Sequence, residues 1–206
     1  MIVRMHGAGV DEKRHYAVTE AEKKGIRNQL GLEQEAFICL CVGELNVNKN
    51  QSFLISLVPK LIKKIDNFKL ILAGNGAQKE TLERQICSLG IEKYVELVGY
   101  QPKIERYIRA SDLVLSASKR EGLPFNIVEA MLTKRPVVVS ENRGHKELIK
   151  SGETGFIAKT EMEFLDKIML LYNQLEIYNQ IAENAYQYAQ NYTLQSTINE
   201  FIQILI

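Results

Sequence analysis

Two glutamates, Glu121 and Glu129, stand eight residues apart in the stretch SASKREGLPFNIVEAMLTKRP, residues 116–136. An ionised carboxylate offers two acceptor oxygens to paired hydroxyl donors, so two of them beside an anion-binding loop suit a hydroxyl-rich, phosphorylated ligand. The Gly122-Leu123-Pro124 break between them predicts a strand turning into a helix. Pro124 fits the first helical position, where a missing N–H removes no intrahelical bond. Gly122 lets the backbone approach a ligand, and the free N–H groups of the first helical turn suit a phosphate. Glu121 is then expected in the loop beside that anion site. Glu129 is expected about one and a half turns into the helix, with both facing one cleft. In isolation such a pair is more often structural than catalytic, so the elements around it decide.

Those elements belong to an ordinary globular chain. The 206 residues are 46% hydrophobic and 25% charged, with a formal net charge of +1, enough for one sizeable core and no field that draws in nucleic acid or membrane. No apolar run reaches the ~18 residues of a membrane span. The start, MIVRMHGAG, lacks the apolar region of a signal peptide, and the expected location is the cytoplasm. Cys39, Cys41 and Cys87 show no C-x-x-C spacing, and the first two read as small core residues on one face of a strand. His6, His15 and His145 are scattered, and no D-x-D pair is present. No metal is therefore expected.

Apolar runs of strand length, as in AFICLCV at 36–42, recur at 68–73, 95–98, 113–116, 137–140 and 155–158. Between them lie segments with helical spacing at 51–65, 80–89, 107–110 and 146–150, after a polar helix at 20–30 that stops near Gly31. The alternation predicts an α/β fold with a doubly wound, parallel, six-stranded Rossmann-like sheet and helices on both faces. Residues 161–192 carry two helical stripes, Phe164, Ile168, Leu171 and Leu175, then Ile181, Ala185, Tyr188 and Tyr192. The end, 197–206, is helical in pattern and finishes on the apolar FIQILI, more than a free terminus usually displays. The division is therefore a linker at 1–19, beginning so abruptly that it reads as cut, a Rossmann-like domain at 20–160, and helices of the same domain at 161–206.

In such sheets ligands sit outside the carboxyl ends of the strands, where strand order reverses. That rule selects the loops at 43–50, 74–78, 99–103, 116–124 and 140–146. In order and spacing, HGAGVD (6–11), VGELNVNKN (42–50), LILAGNGAQKETLE (70–83), VELVGYQPKIERYIRASDLVLSAS (95–118), EGLPFNIVEAMLTKRPVVVS (121–140) and GHKELIKSGETGFI (144–157) resemble the C-terminal half of the retaining GT-B glycosyltransferases of family 4. These enzymes move sugars from nucleotide diphosphates, and the resemblance covers nearly the whole chain.

The resemblance implies roles. Glu121 would approach the donor sugar and its diphosphate, and Glu129 would accept from the ribose hydroxyls. Lys49 matches the family lysine that meets the diphosphate and stabilises the leaving group as negative charge grows. The backbone N–H groups of Gly122 and Leu123, before Pro124, would share that load. Gly43, Glu44 and Asn75 belong to the glycine-containing loops around the donor, and Gly99 and Tyr100 would lie along the base. Many relatives carry an arginine where this chain has Glu44, so one expected cation is missing and Lys49 matters more. Arg120 is a weak substitute, because adjacent residues of an extended segment point to opposite sides.

The implied ligand is a nucleotide sugar, with UDP-sugar the expected donor, and no cofactor is needed. The acceptor, a saccharide or a lipid-linked saccharide, would be met through an N-terminal domain that these residues do not include, with HGAGVD as the seam. The setting implied is polysaccharide or capsule assembly, with the full-length enzyme peripheral to the inner face of the membrane. This part alone is expected to be inactive. A UDP-sugar 2-epimerase-like isomerase and a nucleotide-binding module without chemistry are the alternatives. An NAD dehydrogenase is a poor fit, because no G-x-G-x-x-G opens the first strand.

Overall fold

The computed structural model describes residues 9–205. The expected apolar piece at 1–5 and the first residues of HGAGVD, His6 to Ala8, lie outside them. The first helix, α1 (Glu20–Leu30), opens on a capping box between Thr19 and Glu22 and closes on Gly31 at φ 69°, the left-handed conformation that glycine tolerates best. From there strands and helices alternate: β1 (Phe37–Val42), α2 (Gln51–Leu61), β2 (Phe68–Ala73), α3 (Lys79–Leu89), β3 (Val95–Gly99), α4 (Ile104–Ala110) and β4 (Leu113–Ser116). The second half follows with α5 (Phe125–Leu132), β5 (Val137–Ser140), α6 (Arg143–Leu148), β6 (Phe156–Ala158), α7 (Glu161–Asn173), α8 (Leu175–Ala189) and α9 (Leu194–Leu205).

The six strands pair in parallel in the order β3-β2-β1-β4-β5-β6, as the alternation predicts. Strand residues divide between two cores with period two. Cys39, Cys41, Leu70, Leu72, Leu113 and Leu115 pack with Leu54 and Leu57 of α2, Leu82 of α3 and Phe164 and Ile168 of α7. Ile38, Leu40, Ile71, Val114, Val137 and Val139 pack on the opposite face with Ile108 of α4, Ile127 and Met131 of α5 and Ala185 of α8. Both cysteines are buried in the first core, where burial pushes the Cys41 thiol up to about 12. A thiol so far from ionisation packs as a small apolar group.

Several boundaries differ from the sequence reading. Pro124 is the cap residue, with ψ 89°, and Phe125 is the first helical residue. The Pro124 carbonyl already accepts from the N–H groups of Ile127 and Val128 at 3.0 and 3.3 Å, as an N-cap carbonyl does. Helix α2 ends at Leu61 and turns carry the chain on, with the N–H of Ile65 donating to the carbonyl of Leu61 at 2.9 Å. Those turns still bury Ile65. Helix α4 (Ile104–Ala110) ends at 110, where the helix end at 107–110 is expected. Helix α6 starts at Arg143 rather than 146, because the Asn142 side chain caps it through the N–H of His145. Leu175 leaves the expected buried stripe: the chain reverses at Gln174, and Leu175 opens α8 exposed to solvent.

The segment before α1 is tied to the far end of the domain. The Val10 N–H donates to the Tyr192 carbonyl at 2.9 Å, and the Leu194 N–H donates to the Val10 carbonyl at 2.8 Å; in the turn that follows, Arg14 meets Glu105 of α4 and His15 faces Glu129 of α5.

Candidate functional site

Strand order reverses between β1 and β4, which places the loops leaving these two strands side by side at the carboxyl edge. Lys49, in the loop after β1, brings its Nζ to 2.6 Å from Oε1 of Glu121, in the loop after β4. The side chains are 22% and 12% exposed, so the pair is partly desolvated and less screened by solvent than a surface bridge.

Asparagines hold the two loops together. Asn48 donates through Nδ2 to the Arg120 carbonyl at 3.0 Å and accepts the Arg120 N–H at its Oδ1, 3.1 Å away. Its own carbonyl accepts the Lys119 N–H at 2.8 Å. Asn46 accepts the Lys49 N–H at 2.9 Å, and Asn126 of α5 donates to the Val42 carbonyl at 2.8 Å. Arg120 itself is exposed. None of these asparagines is among the expected site residues, although the run NVNKN is unusually rich in side chains able to bond backbone groups.

A cavity of about 520 Å³ opens beside this pair, lined in part by Arg14, Gly43, Glu44, Asn75, Tyr100 and Pro102. Four residues expected near the donor thus border one space. Tyr100 is 73% exposed, a free aromatic face at the cavity rim. Glu44 is exposed, with its backbone carbonyl bonded to Gln51 Nε2 at 2.9 Å. Gly99 ends β3 at φ 68°, and its carbonyl accepts the Gly74 N–H at 2.8 Å.

The glycines of the 74–76 loop answer a need the sequence reading did not foresee. A Cβ at Gly74 would stand 2.0 Å from the Gly43 carbonyl oxygen, so loop packs on loop there rather than on a ligand. A Cβ at Gly122, by contrast, would meet nothing within 4 Å. The N–H groups of Gly122 and Leu123 stand before α5 with open space beside Gly122.

Glu129 has different surroundings from Glu121. Its Oε1 lies 3.8 Å from Nε2 of His15, and burial pushes its carboxyl up to about 7, against the pull of the Arg14 guanidinium and with the repulsion of Glu105. Burial likewise lowers the His15 imidazole below its ordinary value. Arg14 bridges to Glu105 at 3.1 Å and borders the cavity, as does Gly43, over which the Lys49 stem lies. Arg14, His15 and Glu105 were missed because their partners are remote in sequence and residues 11–19 show no periodicity.

His145 is wholly buried. Its Nδ1 lies 2.7 Å from the Ser140 carbonyl, and its Nε2 has no partner among the described residues. Among the described residues no group of three or more His, Cys, Asp and Glu side chains could hold a metal, and no helix is long and apolar enough to cross a membrane.

Residues 22–188 match the family described as Glycosyl transferases group 1. The chain belongs to that family. It is 32% identical over 203 residues to Bacillus subtilis (strain 168) EpsD, named as a candidate glycosyltransferase, covering 98% of this chain and 53% of that protein. The crystal structure of Anabaena Alr3699/HepE in complex with UDP and glucose is 27% identical and superposes with a TM-score of 0.86, covering 96% of this chain and 55% of that one. The C-terminal domain of a Francisella tularensis glycosyl transferase group 1 protein, LpcC, is 21% identical with a TM-score of 0.80 over 91% of this chain and 100% of that one. That likeness speaks for the fold alone. The parallel six-stranded sheet is thus that of the C-terminal domains of GT-B glycosyltransferases, and the chain spans about half the length of the relatives it matches.

Proposed function

We propose that this chain is the donor-binding half of a retaining family 4 glycosyltransferase that takes its sugar from UDP and passes it to a saccharide or lipid-linked acceptor in polysaccharide biosynthesis. The observation that carries the reading is the Lys49–Glu121 pair at the reversal point of the sheet, 2.6 Å apart beside the cavity. Likeness to an Anabaena protein solved with UDP and glucose supports uridine as the base.

In this reading the uracil lies in the cavity near Gly99 and Tyr100, bordered by Asn75 and Pro102. The ribose hydroxyls donate to Glu129, and the diphosphate lies between Lys49 and the N–H groups of Gly122 and Leu123. Lys49 then turns from Glu121 to the phosphates, and its charge counters the one that grows on the leaving diphosphate. Glu121, released from the lysine, accepts from the sugar. Gly43 and Glu44 line the diphosphate end, where Glu44 adds no cation. Residues 1–19 act as the link to an acceptor-binding domain, so the 206-residue chain by itself binds donor and transfers little.

Incubation of the chain with UDP, GDP and ADP, followed by calorimetry, tests the base: UDP is expected to bind tightest. A full-length enzyme carrying this domain is then expected to release UDP and yield a glycosylated acceptor. An epimerised nucleotide sugar as the product would replace transfer by isomerisation.

A further inference from the structure

His15 is 6% exposed and faces Glu129, which is 21% exposed, at 3.8 Å through Nε2. That separation exceeds a hydrogen bond, yet the imidazole has nowhere else to direct its proton. Its Nδ1 is buried without a partner among the described residues, so no acceptor holds the proton on that nitrogen, and the tautomer with the proton on Nε2 faces the carboxylate.

The backbone beneath His15 is fixed. Its N–H donates to the Asp11 carbonyl at 3.2 Å, in the turn that follows the Val10 pairing with Tyr192 and Leu194. The charged groups around the imidazole are Glu105 and Arg109 of α4, Arg14 and Asp11 of its own turn, and Glu129 of α5. The two arginines are engaged: Arg14 bridges to Glu105, and Arg109 lies 4.5 Å over the Tyr16 ring and donates to the Glu105 carbonyl. His15 is the donor left to serve Glu129.

We propose that His15 is a positioning residue for the ribose site: its Nε2–H turns to Oε1 of Glu129, which favours the carboxylate form and leaves its second oxygen free for the ribose hydroxyls. This rests on the reading of Glu129 as the ribose acceptor. The direction of the titration follows. With the Glu129 carboxyl raised to about 7 by burial and the imidazole lowered, Glu129 exchanges its proton near neutral pH while His15 stays neutral. Ribose hydroxyls and the imidazole N–H both favour the ionised form, so binding releases a proton and affinity rises with pH through about 7 before levelling.

The test is calorimetric titration with UDP-glucose between pH 5.5 and 9, a ligand whose diphosphate diester does not itself titrate near neutrality. In His15→Phe, which fills the space without a donor, the midpoint is expected to move up by about one unit. Affinity at pH 7 then falls about fivefold, while the plateau at pH 9 stays within about twofold of the original. His15→Gln, which keeps an N–H but cannot titrate in this range, is expected to restore most of the loss. Should phenylalanine lower the melting temperature, His15→Met supplies a second variant without a donor. A pH profile in the donor-free variant that coincides with the original overturns the role of His15, as does a uniform loss at every pH that tracks stability. Glu129→Gln is the separate control. If it binds UDP-glucose as tightly as the original chain, the ribose reading itself fails, whatever His15 does.

Discussion

Lys49 and Glu121 meet at 2.6 Å although they are 72 positions apart in the chain, because β1 and β4 are neighbours in the sheet and each residue sits in the loop that leaves its strand. Neither residue's local sequence states that contact. The pair is closed in the structure, and in the proposed function a ligand diphosphate would compete with Glu121 for the lysine.

That competition predicts unequal effects of removing the cation. Lys49→Met is expected to weaken UDP binding by about 1.5–3 kcal/mol, the range for a charged hydrogen bond, and to weaken uridine binding hardly at all. Calorimetry with the two ligands gives the ratio directly. Equal losses for UDP and uridine would place the lysine's effect in folding instead.

Glu121 and Glu129 are expected to diverge. Glu121→Gln frees Lys49 and removes a charge that repels phosphate, so UDP affinity holds or rises. In a full-length enzyme the same change is expected to lower kcat more than donor affinity, since in the proposed function the carboxylate acts on the sugar in the transition state. Turnover and donor titrations measured side by side separate the two quantities.

Asn48 is expected to be the fastening of the site. It bonds both polar backbone groups of Arg120 as well as the Lys119 N–H. Asn48→Ala hands the exposed backbone groups of Arg120 to water, at a cost of about 0.5–1.5 kcal/mol per bond lost, and loosens the loop that carries Glu121. Hydrogen exchange at residues 119–121 should quicken before any global change. Unchanged exchange there would show that another contact holds the loop.

Burial of Glu129 also links stability to pH. Its carboxyl is raised from 4.5 to about 7 in the folded chain, so the folded state holds a proton that the unfolded state has lost between those values. The stability this contributes is complete below 4.5 and is lost as pH rises through 7. The lowered His15 works in the opposite direction, its contribution present above 6.5 and lost as pH falls through its lower folded value. The melting temperature of Glu129→Gln, relative to the original, is expected to be higher at pH 8 than at pH 5. A difference that does not depend on pH would mean the carboxyl titrates normally.

Much of this was legible in the sequence, for a physical reason. Buried parallel strands are short apolar runs bounded by glycine, so β2, β4 and β5 fall where the runs predict, and their alternation with helical spacing implies the sheet. The Glu121 and Lys49 loops follow from the switch-point rule once the strands are known. Polar side chains that serve remote backbone left no comparable mark. Asn48 bonds the backbone of Arg120 and Asn142 donates to the Ser118 carbonyl, and nothing in their neighbours announces it. Pro124 shows the limit at a single residue: its ring suits both the cap and the first turn, and only the bonds to its carbonyl separate them.

The most direct test of donor binding is calorimetric titration of the 206-residue chain with UDP at neutral pH, alongside Glu129→Gln with its melting temperature recorded. The account predicts saturable, one-to-one binding that persists in the presence of a chelator. It further predicts that the glutamine variant, still folded, loses about 1–3 kcal/mol of affinity. A folded chain that shows no heat of UDP binding, or a variant that binds UDP as tightly as the original, would contradict the assignment of this cleft as a nucleotide-sugar site.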